Sequence, residues 1–161
     1  MQAFHPLSPV VFSDSKMLIL GSFPSIKSFE SNFYYAHPRN QFWPILSSIY
    51  KMKIETRDEK IALLEASKIA IWDVVKSCER INSSDSNLKN ITLNDIEELL
   101  KKYKNLKRIF FTSKAALKFY KKGFSHLNID TFTLPSPSPA YAAMRFEEKV
   151  RIWKEELSLV C

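Results

Sequence analysis

Four short apolar runs, at 17–22, 69–75, 108–112 and 131–134, punctuate this chain. Each is rich in β-branched or aromatic residues and too short for a buried helix. Between them the apolar period becomes helical. Trp43, Leu46, Ile49 and Tyr50 share one face, as do Ile96, Leu99, Leu100 and Tyr103, while Phe146, Val150, Trp153 and Leu157 follow spacings of four, three and four. Strands apolar on both sides and alternating with helices predict an α/β fold. The expected form is a short four-stranded parallel sheet flanked by helices on both faces and joined by right-handed crossovers. The 161 residues read as a single domain over 1–161. A chain of that size buries roughly 70% of its unfolded surface, so its core needs neither metal nor disulfide.

Parallel sheets take their ligands beyond the carboxyl ends of the strands, which puts the segments after Ser22, Val75, Thr112 and Leu134 on one rim. The first is the turn Gly21-Ser22-Phe23-Pro24-Ser25, which holds one of only two glycines in the chain, so close ligand approach is expected there. The last is Leu134-Pro135-Ser136-Pro137-Ser138-Pro139-Ala140-Tyr141. Three prolines stiffen it, and its serines offer hydroxyls to a nucleic-acid backbone; read structurally, it is a rigid turn into the last helix. The segment 76–90 is polar and exceeds the usual connection of ~4–6 residues, and is expected to be a long ordered loop.

Composition excludes several functions. The net charge of +7 favours a polyanionic partner, although Lys101, Lys102, Lys118, Lys121 and Lys122 also read as solvated helix faces. Two distant cysteines, Cys78 and Cys161, make neither a disulfide framework nor a ligand cluster. No apolar run approaches the ~20 residues that span a bilayer, and the first eleven residues lack the layout of a signal peptide. Neither a Walker motif nor G-x-G-x-x-G occurs, no serine sits in a nucleophile elbow, and His5, His37 and His126 lack metal-ligand spacing. His37 can donate a proton or orient the turn before Pro38, and is not assigned to catalysis.

Against that background stands Tyr34-Tyr35-Ala36-His37-Pro38-Arg39-Asn40-Gln41-Phe42-Trp43. Together with Gly-Ser-Phe-Pro, Ile-Trp-Asp-Val-Val followed by Ser-Cys-Glu-Arg, and Leu-Pro-Ser-Pro-Ser-Pro-Ala, it resembles the uracil-DNA glycosylase superfamily. The resemblance is strongest to the hypoxanthine (deoxyinosine) branch and runs from about residue 16 to the last helix. It implies a monofunctional enzyme that extrudes a deaminated base from DNA and hydrolyses its bond to deoxyribose without metal or cofactor. It further implies a monomer acting on damaged duplex or single-stranded DNA in the cytoplasm, at the nucleoid.

Residue by residue, the resemblance implies a division of labour. Phe23 stands where many members carry the Asp or Asn that positions water, so the essential amide is expected at Asn40, whose other reading is a cap for the following helix. Tyr35 matches the aromatic on which the base stacks, and the backbone around Ser22, Phe23 and Ser25 completes the base pocket. Lys27, Arg39, Ser136, Pro137 and Ser138 are expected on the DNA, Lys27 as a phosphate contact and not as a Schiff-base nucleophile. Ser25 replaces the family's usual glycine, Leu134 replaces the histidine of the uracil-specific members, and Thr112-Ser113 replaces an Asn-Gly-like pair. The alternative readings are a uracil or G:U/G:T mismatch glycosylase and a non-catalytic binder of damaged DNA with the same fold.

Overall fold

The computed structural model describes residues 2–79 and 88–159. The four expected strands are present as β2 (Met17–Gly21), β3 (Ile69–Asp73), β6 (Arg108–Phe111) and β7 (Asp130–Thr133), and they form one fully parallel sheet in the order β3-β2-β6-β7. Because successive side chains of a strand point to opposite faces, each strand feeds two cores. Leu18, Leu20, Ala70, Ile109 and Phe111 face one side, where they meet α4 (Ile96–Lys102) and α5 (Lys114–Phe124). Met17, Ile19, Ile69, Ile71 and Phe110 face the other, against α2 (Phe42–Tyr50), α3 (Arg57–Ser67) and α6 (Phe146–Leu157). The three helical stripes read from the sequence all lie on these two cores.

A second sheet was not expected. β1 (Gln2–Phe4), β4 (Val75–Glu79) and β5 (Lys89–Leu93) form an antiparallel sheet in the order β1-β4-β5. The run 69–75 is therefore not one strand. It breaks at Val74, where the chain leaves the parallel sheet and enters the antiparallel one. Both ends of the expected 76–90 loop are strand, and its centre, 80–87, lies outside the described residues, as does Cys161. The break is held from two sides. Val74 and Val75 donate their N–H groups to Gly21 and Ser22 carbonyls, and buried Asn94 donates Nδ2–H to the carbonyls of Asp73 and Val75. The chain before β2 also guards the edge of the parallel sheet, since Val10 and Ile71 exchange both backbone hydrogen bonds.

Two further helices escaped the sequence reading, α1 (Ile26–Ser31) and α3. The second carries a full capping box, in which Thr56 Oγ1 accepts from Glu59 N–H while Glu59 reaches back to Thr56 N–H. Asn94→Ala leaves two buried carbonyls at the sheet break without their side-chain donor. It is expected to lower the unfolding free energy by about 1–3 kcal/mol in urea titration, with an unchanged slope.

Candidate active site

A cavity of about 620 Å³ opens beyond the carboxyl ends of the parallel strands. Its walls come from the turn after β2, the segment 34–40 before α2, the end of β3, the residues after β6, and the loop 136–141. Of the residues expected at the site, Ser22, Phe23, Ser25, Tyr35, Asn40, Ser136, Pro137 and Ser138 all line it. Lys27 and Arg39 do not. Lys27 lies on α1 in an exposed ion pair with Glu30 at 3.3 Å, and Arg39 is exposed in the turn whose N–H donates to His37 Nδ1.

The wall groups are already committed to the fold in specific ways. Ser25 caps α1, its Oγ accepting the N–H of Ser28, so the hydroxyl is a helix cap before it is a ligand group. Tyr35 holds a left-handed backbone at φ 52, which costs a bulky residue of order 1 kcal/mol. Its ring stacks on Phe42 at 3.8 Å and 8°, so one face is backed and the ring is rigid. Asn40 Oδ1 accepts the N–H of Phe42 at 2.9 Å, the first residue of α2, while Gln41 takes the N-cap position without a side-chain capping bond to the helix. Asn40 thus braces the helix start and lines the cavity at once, and its orientation leaves Nδ2 as a donor.

Sequence reading missed one polar feature altogether. Asp73, the last residue of β3, lines the cavity, and its Oδ2 lies 2.8 Å from His5 Nε2, with side chains only 5% and 2% exposed. Leu7 N–H donates to His5 Nδ1, so the ring hydrogen resides on Nε2 and is donated to Asp73. The segment after β1 carries the histidine there, with His5 N–H donating to Lys76 O on β4. Burial, with the Asp73 charge second, pushes the neighbouring Tyr34 phenol far above its ordinary range, and that phenol donates to Ser8 O. Asp and His stand 68 positions apart, so no local motif announces the pair. The Asp of Ile-Trp-Asp-Val-Val was its only visible trace.

Gly21 explains how these groups meet. A Cβ on this residue would lie 2.5 Å from Asp73 Oδ1, 3.1 Å from the Tyr35 hydroxyl and 3.5 Å from Thr112 Oγ1. Its φ is not left-handed, so the glycine is required for space and not for backbone conformation. The site's own polar atoms make a close approach to this glycine, which itself lines the cavity.

The loop 135–141 forms the opposite wall, and Leu134 before it is buried in the core. Its carbonyls are gripped from outside: Trp153 Nε1 donates to Pro135 O, Gln41 N–H to Pro137 O, and Lys149 Nζ to Tyr141 O. Ser136 Oγ and Ser138 Oγ each accept a backbone N–H two residues ahead, which leaves the hydroxyl hydrogens able to donate. Among the described residues, no group of His, Cys, Asp and Glu could hold a metal ion, and no helix is long and apolar enough to cross a membrane.

The model of the uracil DNA glycosylase superfamily matches residues 9–156, beginning just after His5. The chain is 33% identical over 108 residues to a Methanosarcina barkeri protein named hypoxanthine DNA glycosylase, covering 66% of this chain and 68% of that one. It is 30% identical over 133 residues to a protein of the same name from Methanosarcina acetivorans, covering 81% and 84%. A solution NMR structure of a Methanosarcina acetivorans protein, provisionally assigned as a uracil DNA glycosylase, superposes with a TM-score of 0.80 at 27% identity, over 98% of this chain and 99% of that one.

Gly21→Ala forces its new methyl group onto the Asp73 carboxylate. It is expected to cost about 1–3 kcal/mol, seen as a lowered Tm. His5→Ala leaves a buried carboxylate oxygen without its donor and is expected to cost at least as much by urea titration.

Proposed function

This chain belongs to the uracil DNA glycosylase superfamily, and from that premise we propose that it is a monofunctional glycosylase releasing hypoxanthine from deoxyinosine in DNA. The observation that carries the reading is the convergence of Asn40, the backed Tyr35 ring and the Pro-Ser loop on one cavity beyond the sheet. The names of the two Methanosarcina relatives support the choice of base.

In this reading the nucleotide is rotated out of the helix and its base lies against Tyr35, a contact of ~1–3 kcal/mol. Backbone amides around Ser22, Phe23 and Ser25 meet O6 of hypoxanthine. The Asp73 carboxylate, kept as an acceptor by His5, takes the ring N1–H. Water adds to C1′ of a cation-like sugar, the electron pair of the C1′–N9 bond leaves with the base, and the water's proton passes to the leaving base or solvent. Asn40 holds the water through the second lone pair of Oδ1 and the base or sugar through Nδ2. An amide is no strong base, so catalysis rests on positioning and on charge stabilisation. Ser136, Pro137 and Ser138 hold the backbone of the DNA, with Lys27 and Arg39 as outer cationic contacts. The enzyme works as a monomer without cofactor on damaged duplex or single strands, in the cytoplasm at the nucleoid.

Single-turnover base release from oligonucleotides carrying hypoxanthine, uracil, xanthine or mismatched thymine tests the reading. Hypoxanthine is expected to be released fastest. Faster release of uracil or mismatched thymine would instead make this a mismatch-type glycosylase, and salt-dependent binding without any abasic product would make it a damage binder. Asn40→Ala removes both the oxygen that holds the water and the amide donor. It is expected to lower the rate by about 100-fold or more while DNA affinity stays within about threefold. A variant with full activity overturns the role of Asn40.

A further inference from the structure

Lys149 is a buried charge that the chemistry above does not use. It lies on α6, 1% exposed, and its Nζ has no carboxylate within ion-pairing distance among the described residues. Burying an ammonium without a counter-charge is expensive, and the cost is offset only where hydrogen bonds replace its water. Here they do. Nζ donates to Gln41 Oε1 at 2.8 Å and to Tyr141 O at 2.9 Å, and it lies 5.2 Å from the centre of the Tyr141 ring. Burial also pulls the ammonium below the ordinary lysine range.

Those two acceptors belong to different segments of the site. Tyr141 ends the Pro-Ser loop, and Gln41 follows Asn40 directly. Gln41 is already joined to that loop by its N–H on Pro137 O at 2.8 Å, and Lys149 closes the second link through its side chain. The Gln41 N–H on Pro137 O and the helix-borne ammonium on Tyr141 O therefore tie two points of the loop to the turn that aims Asn40. Apolar packing cannot do this, because it does not set the direction of a carbonyl or an amide.

We propose that Lys149, acting through Gln41, is a positioning residue that couples the DNA-gripping loop to Asn40, so that the two walls of the site hold one geometry. The proposal rests on the reading of the loop as the DNA contact and of Asn40 as the water-holding amide. It assigns Lys149 no contact with substrate. Losing the link should slow the chemical step more than it weakens binding, since the loop stays attached through Trp153 and Pro135.

Lys149→Met and Gln41→Ala, singly and together, test it, with Gln41→Glu as the variant that retains an acceptor for the ammonium. Each single loss is expected to lower single-turnover base release by at least tenfold with DNA affinity changed less than threefold. The double variant should be no slower than the worse single one, and Gln41→Glu should stay within threefold of the parent. Hydrogen exchange on the same proteins needs no substrate. Removing the ammonium should raise exchange at Gln41 and at Ser138 to Tyr141 together, by at least tenfold. The coupling is overturned if Gln41→Ala, which lies nearer the surface and should fold, cleaves at the parental rate, or if exchange rises on one segment alone. If Asn40→Ala is fully active while these variants show joint exchange, the role of Asn40 fails and the coupling stands.

Discussion

The site depends on an absence at Gly21. Three polar groups from three separate segments, Asp73 at the end of β3, Tyr35 before α2 and Thr112 after β6, approach the point where any other residue would place its Cβ. Their convergence is possible because adjacent parallel strands bring their carboxyl ends side by side, with Gly21 paired to Asp73 in register. A central strand flanked on both sides cannot move away to relieve a clash. The glycine is therefore the condition under which the sheet can end in a polar cluster and not in another apolar layer.

Around that point the walls are stiffened by different means. The Tyr35 ring is fixed by stacking on Phe42 despite an unfavourable backbone conformation. Prolines remove the freedom of the opposite loop, and its carbonyls are pinned by an indole, a main-chain amide and a buried ammonium. Asp73 is pinned by a histidine from the N-terminal segment, which precedes the residues matched by the superfamily. Rigid walls of this kind suit the reaction proposed above, in which an amide would contribute by where it points and not by taking a proton.

Much of this was legible locally. The parallel strands and the helical stripes announce themselves by period, since burial on both faces demands continuous apolar runs and burial on one face demands a helical repeat. The Pro-Ser loop carries three prolines and follows a strand, so its place at the rim follows from the strand end, whereas the expected place of Tyr34–Trp43 rested on its resemblance to the superfamily. The antiparallel sheet was not legible. β4 and β5 are short and polar, their pairing shifts register twice, and β1 pairs with residues more than seventy positions away. The capping box of α3 is a local signal carried by Thr56 and Glu59.

What the sequence by itself determined, then, is the class of the sheet, the helices that cover it, and which segments reach the rim. Periodicity and backbone restriction are local properties, and local properties survive without coordinates. Only the tertiary structure decided what those segments do to one another: that Gly21 makes room for a carboxylate, that His5 holds it, and that Lys149 is buried against Gln41 and Tyr141. Each is a distance between residues far apart in the chain, set by packing of the whole domain, and no window of sequence contains it.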